Sequence, residues 1–120
     1  MSYFSFENLE VWKRSCDLAV KIYKELDGCK DFGLKDQMTR SSVSIPSNIA
    51  EGAERDSTKE FIRFLHIAKG SAAELRTQIY LAYRVSLLSE TSHQELIEES
   101  IAISKMLHSL IKSQNLKLKT

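Results

Sequence analysis

Proline occurs once and glycine four times in 120 residues, together about a third of ordinary usage. A β-sandwich or barrel needs a turn signal roughly every ten residues, and this chain has no material for one. The same scarcity excludes collagen, proline-rich linkers and low-complexity disorder. What survives is a chain of long helices. Two cysteines, Cys16 and Cys29, form neither a Cys-x-x-Cys pair nor a zinc-ligand ladder, so reduced thiols are expected rather than a disulfide framework. No apolar run approaches the roughly 18 residues of a membrane span, and Ser2 to Glu10 lacks the basic start and apolar stretch of a signal peptide. The expected compartment is the cytoplasm, with no membrane partner. An excess of one charge is missing as well: 17 Lys and Arg against 16 Asp and Glu leave +1, too little for a global field aimed at nucleic acid or anionic lipid.

Apolar periodicity fills the space that the turns leave. One helix is predicted over about 8–27, with Asn8 as N-cap, Leu9, Trp12, Cys16, Ala19, Tyr23 and Leu26 on its core face, and Gly28 as its stop. A second covers about 33–54, with Met38, Ile45, Ile49 and Ala53 in rhythm and Pro46 inside. The third, about 58–88, opens on a capping box of Ser57 and Glu60 and carries Phe61, Leu65, Ala68, Ala72, Leu75, Ile79 and Ala82. Overlapping boxes, Thr91 with Gln94 and Ser92 with Glu95, open the fourth, about 92–114, through Leu96, Ile103, Leu107 and Leu110. Short connections force neighbours to run antiparallel. The expected fold is all-α: one domain over 1–120, an up-down-up-down four-helix bundle with helix two kinked at Pro46.

Helices one and four hold more apolar surface than one core face needs. Val11, Leu18 and Ile22 form a second stripe roughly 130° round from the first at about 100° per residue, and Ile97, Ile101 and Ile111 do the same on helix four. Either the core face is wide or these residues meet another subunit. Soluble monomers rarely leave such patches wet, which favours a homo-oligomer.

No motif specifies a reaction. Gly28 and Gly33 have phosphate-loop spacing, but Leu34 stands where that loop needs Lys, and no strand precedes it. Glu90 and His93 match half of a di-iron Glu-x-x-His motif, which requires two copies within helices. His66 and His108 have no His or Cys at i+4. Cys16 falls on an apolar seam and Cys29 in a loop without a nearby His. The reading is therefore a non-enzyme, with no catalytic residue, metal, cofactor or small-molecule substrate.

Local charge says more than net charge. Over residues 61–88, Arg63, Lys69, Arg76 and Arg84 face Glu74 alone, giving +3 on the side of helix three away from its apolar seam. They are a solvated face or, repeated around an oligomer, a salt-sensitive surface for a phosphate backbone that Lys112, Lys117 and Lys119 would extend. Aromatic residues do not interleave with them, so base stacking is not indicated. Helix two is unusual between Arg40 and Gly52, where Ser41, Ser42, Ser44, Ser47 and Asn48 surround Pro46. Small residues at Lys69 to Ala73 would allow a close approach there. Asn48, Glu51 and Arg55 are spaced as a polar network, structural or binding, with Glu51 and Arg55 an i, i+4 pair.

Three blocks, SFENLEVWKRSCDLAVKIY at 5–23, RSSVSIPSNIAEGAER at 40–55 and EFIRFLHIAKGSAAELRTQIYLAYR at 60–84, resemble the four-helix-bundle proteins encoded by intervening sequences of bacterial 23S ribosomal RNA genes. They cover half of the chain, and SIPSNIAEG is the most specific part. The resemblance implies a small cytoplasmic bacterial bundle assembled as a five-fold ring, hence a homopentamer. A more distant resemblance runs to the accessory variability proteins of diversity-generating retroelements, basic pentamers that bind nucleic acid and a reverse transcriptase; this chain departs from them in its near-neutral charge. Neither resemblance supplies catalytic residues. The expected function is binding of structured RNA or another nucleic acid through Arg63, Lys69, Arg76 and Arg84, by an oligomer joined through Val11, Leu18, Ile22, Ile97, Ile101 and Ile111. The rival is a protein-protein adaptor or scaffold that touches no nucleic acid.

Overall fold

The computed structural model describes residues 4–120. A 3-10 turn at Phe6–Asn8 leads into four helices, α1 (Glu10–Glu25), α2 (Phe32–Ala53), α3 (Thr58–Arg84) and α4 (Glu90–Leu118), in a rod of 50 × 20 × 20 Å. Contacts run α1 to α2, α2 to α3, α3 to α4 and α4 back to α1, while the diagonal pairs do not meet. Cross-helix partners show that each pair is antiparallel. Ser41 meets Glu74 and Ser44 meets Ser71; Lys69 meets His108 and Tyr83 meets His93; Arg14 meets Glu99 and Glu25 meets Ser92.

The starts of α2, α3 and α4 are each held by a side-chain oxygen on an otherwise unpaired amide, whereas Leu9 at the start of α1 offers none. Asp31 accepts from the Leu34 N–H and Ser57 from the Glu60 N–H, as the capping box at Ser57 predicts. Two expected starts move. Ser5 caps the 3-10 turn, so α1 begins after Leu9 rather than at Asn8. Ser89, not Thr91 or Ser92, caps α4 by accepting from the Ser92 N–H. That earlier start follows from an earlier end of α3. Its last turn closes with Ser86 N–H on the Tyr83 carbonyl and Leu87 N–H on the Ala82 carbonyl, the latter at 2.8 Å. Ser86 takes the left-handed position, φ 67°, that this closure usually gives to glycine.

The core corrects the reading of both apolar stripes. On α1 the buried residues are Val11, Ser15, Leu18, Ala19, Ile22 and Leu26, while Tyr23 is 53% exposed and Trp12 and Cys16 are half-buried. On α4, Leu96, Ile97, Ile103, Leu107 and Ile111 are all buried and Ile101 is half-buried. Five of the six proposed subunit-contact residues, Val11, Leu18, Ile22, Ile97 and Ile111, are thus committed to the chain's own core. The reason is geometric: α1 and α4 each pack against two neighbours at once, which needs a wide apolar arc. The purely aliphatic stripe of α1 went inward, and the stripe with an indole, a thiol and a phenol took the periphery. Phe6 covers Trp12 edge-on, with 5.3 Å between ring centres.

Packing is closest between α2 and α3. A Cβ built on Gly52 would lie 2.5 Å from the Phe64 Cβ and 3.3 Å from the Phe61 carbonyl oxygen, so no larger residue fits without moving a helix. Upstream, the serine-rich stretch is a polar seam. Ser41 donates to the Gln37 carbonyl and bonds a Glu74 oxygen at 2.6 Å, Ser44 pairs with Ser71, and Asn48 donates to both Ser44 oxygens. Buried hydroxyls therefore have partners, as low-dielectric surroundings demand. Pro46 is buried within an unbroken α2.

Fewer contacts tie α1 to α4, and the strongest is ionic. Two of the three Arg14 guanidinium nitrogens, Nε and Nη2, donate to Glu99 at 2.8 Å, and Nη1 lies 3.6 Å from the Met106 sulfur. The hydrogen bonds and charge of Arg14 hold the Glu99 carboxyl below its ordinary value, and Glu99 raises Arg14.

Three outcomes follow from this packing. Ser86→Gly relieves a left-handed serine and should raise stability by about 1 kcal/mol, while Gly52→Ala should cost about 1–3 kcal/mol by overpacking against Phe64; thermal melts of both variants check the signs. Because Glu99 is depressed in the folded state, its stabilisation is present at neutral pH and lost as pH falls through the carboxylate range. Glu99→Gln should lower stability by up to about 1 kcal/mol at pH 7 for this partly exposed pair, and urea melts at pH 7 and roughly pH 3 should show the difference closing at the lower pH.

Candidate nucleic-acid interface

The four basic residues of α3 do not form one flank. Arg63 grips both carboxylate oxygens of Glu60, at 2.9 and 3.3 Å, and its guanidinium carbon sits 4.5 Å from the centre of the Phe64 ring, which Arg55 approaches at 5.0 Å. This pairing raises Arg63 and lowers Glu60. Arg63 is therefore already matched in charge. Arg84 stands exposed in the last turn of α3, where a cation complements the carbonyl end of the helix.

Lys69 and Arg76 behave differently. Seven residues apart, they point along the same edge of α3, and both are half-buried toward α4. There they meet Ile101, Ser104, Lys105, His108 and Ser109 around an open cleft of about 500 Å³. Three cations from two helices converge on it, and no acidic side chain lines it. Carboxylates nearby on the same helices are committed elsewhere, Glu74 to Ser41 on α2 and Glu99 to Arg14 on α1. Among the described residues, no carboxylate forms an ion pair with Lys69, Arg76 or Lys105.

Lys69 Nζ lies 3.3 Å from His108 Nδ1. An ammonium has donors only, so Nδ1 accepts and the ring carries its proton on Nε2. Ile101, expected at a subunit contact, instead lines the cleft and rests on the core.

The sequence pointed to none of Lys105, Ser104 and Ser109, and to His108 only as a metal ligand lacking a partner at i+4, although α4 carried a signal for them. Its acidic residues, Glu90, Glu95, Glu98 and Glu99, all lie in the first ten positions, and its cations Lys105, Lys112 and Lys117 all lie in the second half. Segregation of this kind follows the helix dipole at the ends, but Lys105 is mid-helix, beyond the reach of that effect. Lys112, one heptad on from Lys105, is exposed on the same side.

Other candidates resolve into structure. Asn48 belongs to the serine seam, which leaves only the exposed Glu51–Arg55 pair, at 3.3 Å, from the expected network. His93 stacks on Tyr83 with 4.3 Å between centres and meets Tyr80 edge-on at 5.2 Å. His66 is exposed on α3. Cys16 and Cys29 are free thiols, and burial raises Cys16. Among the described residues no three His, Cys, Asp or Glu side chains are grouped as metal ligands, and no helix is long and apolar enough to cross a membrane.

Exposed apolar side chains occur on several helices, among them Ile67 and Leu81 on α3 and Leu116 on α4, and two of them meet on the opposite edge of the bundle. Tyr23 and Val43 are 53% and 42% exposed and line a shallow groove between α1 and α2 with Asp36, Thr39, Arg40 and Ser44, while Val20 faces the α1–α4 side with Arg14 and Glu99.

The family model of the 23S rRNA-intervening sequence protein matches residues 7–109. Among solved structures, the chain is similar to a protein of unknown function from the S23 ribosomal protein family of Bacteroides thetaiotaomicron, at 33% identity and a TM-score of 0.80, over 85% of this chain and 98% of that one. No curated protein matches.

Proposed function

The chain belongs to the 23S rRNA-intervening sequence protein family, and from that premise we propose that it is a non-enzymatic homo-oligomeric bundle that binds structured RNA along its α3–α4 edge. One observation carries the reading: Lys69, Arg76 and Lys105 converge from two helices on one cleft free of acidic lining. A phosphate backbone supplies the counter-charge that the chain itself directs elsewhere. Of the four expected contacts, Lys69 and Arg76 stay central, Arg84 is peripheral and Arg63 drops out, because Glu60 and Phe64 already hold it. Lys105 joins them.

Self-association fits the other edge. With most of the earlier candidates buried, Tyr23 and Val43 supply the exposed apolar side chains that a subunit contact along the α1–α2 groove would cover. In the cyclic packing order the α1–α2 edge lies opposite the α3–α4 edge, so assembly through one leaves the other open to ligand. A ring of five, which the resemblance implies, would repeat the cleft five times and multiply a modest local charge. The same apolar groove is what a protein-protein adaptor would use, and that is the second reading.

Filter binding of a structured RNA over a salt series separates them. One phosphate neutralised per cleft predicts a loss of roughly threefold for each cleft engaged between 50 and 200 mM salt, so an assembly that engages three clefts on one RNA loses roughly 40-fold. Arg76→Glu with Lys105→Glu should abolish retention, whereas Arg63→Ala should leave it nearly unchanged. No retention at low salt, or retention indifferent to salt and to the double reversal, favours the adaptor. Light scattering should give a multiple of 13.7 kDa that Tyr23→Lys with Val43→Lys reduces to the monomer; a wild-type monomer overturns the assembly.

A further inference from the structure

The α3–α4 cleft has finer chemistry than a basic stripe. We infer that it is a seat for one nucleotide unit, a single phosphate with its ribose, rather than a stretch of surface over which RNA lies loosely. This rests on the RNA reading only for the source of the nucleotide, not for the seat itself.

Three features point to a discrete seat. First, the donors come from two walls. Lys69 and Arg76 project from α3, Lys105 from α4, and the hydroxyls of Ser104 and Ser109 stand with them. A solvated face on one helix would not set cations opposite one another, because like charges that converge without a counter-ion repel. Second, one donor is held in place. His108 Nδ1 accepts from Lys69 Nζ at 3.3 Å, which limits the freedom of a long flexible side chain and reduces the entropy lost when an anion arrives. The same bond leaves His108 with its proton on Nε2, a further donor. Arg76 offers the planar fork that matches two phosphate oxygens at once, which Lys cannot do.

Third, the cleft is larger than its anion. At about 500 Å³ it holds several times the volume of a phosphate group, and Ile101 gives it an apolar wall backed by the core. A bare inorganic ion would leave that wall wet. A sugar attached to the phosphate would cover it, while the serine hydroxyls offer partners to ribose hydroxyls. The ligand class is thus a nucleoside phosphate, met as a unit within an RNA strand or as a free ribonucleotide.

His108 makes the test site-specific, because the chain has three histidines in three environments. His66 is exposed on α3, His93 is stacked on Tyr83, and His108 alone lines the cleft. The imidazole NMR resonances of the intact protein are followed at low salt and constant pH during titration with uridine 5′-monophosphate, with inorganic phosphate, and with sodium chloride at matched ionic strength. The expected result is a saturable shift at His108 only, several-fold tighter for the nucleotide than for phosphate, absent with chloride and lost in Arg76→Ala with Lys105→Ala. Equal response of all three histidines, or none at His108, overturns the seat. So does a response to phosphate as tight as that to the nucleotide, since the sugar then contributes nothing.

Two mixed outcomes separate this inference from the RNA reading. If the nucleotide shifts His108 while structured RNA is not retained on filters, the seat stands, its source is a free nucleotide and the RNA reading falls. If RNA is retained while His108 does not respond to the nucleotide, the RNA reading stands and the seat falls.

Discussion

The contact between α2 and α3 at Gly52 constrains everything else in the bundle. The backbone there approaches the Phe64 side chain so closely that no Cβ can intervene, and small residues continue along the facing surfaces. Ala68 and Ala72 on α3 are fully buried, and Ser44 pairs with Ser71 across the seam. Once α3 is pressed against α2 along one flank, its other flank is given to α4, and Lys69 and Arg76 go with it. The serine-rich block also finds its reason here, since hydroxyls are among the few polar groups small enough for a tight seam and able to satisfy themselves on a helix carbonyl.

Charge is partitioned by the same geometry. Of the acidic residues near the middle of the rod, Glu74 turns toward α2 and Glu99 toward α1, while Glu98 stays on α4, held by Gln94 in the neighbouring α3–α4 groove. The result is a near-neutral molecule with one edge rich in unpaired cations and the opposite edge bearing exposed apolar side chains. Net charge is blind to such an arrangement, because it sums over edges that face different neighbours. For a family member whose overall charge is +1, the distribution along the edges is the quantity that bears on partners.

Much of the fold was legible. The rhythm of α3 from Leu65 through Ala82 reads directly as a buried stripe because that helix lies between two neighbours and presents a single apolar seam. Ser57 could be read as a cap because the capping interaction is local. Helix α1 was misread because it carries two stripes of similar strength, and a choice between them depends on which neighbours sit on either side. The end of α3 was misplaced by four residues because a left-handed serine, unlike a glycine, leaves no mark in composition. The candidate site was half legible: Lys69 and Arg76 stand out by their spacing, and Arg63 could have been set apart from them by its local partners, Glu60 three residues before it and Phe64 beside it, whereas the α4 side of the cleft left only the segregation of charge along its helix.

By itself, then, the amino-acid sequence determined what depends on neighbours along the chain: four helices, their caps, their antiparallel order through short connections, and the family. Periodicity and capping act within a few residues, so they survive in one dimension. Only the tertiary structure decided which of two apolar stripes is core, which of four cations is free, and that Lys105 and His108 of α4 stand opposite Lys69 and Arg76 of α3. Those are facts about rotation of one helix against another, settled by the summed packing of all four, including the contact at Gly52 where no Cβ fits.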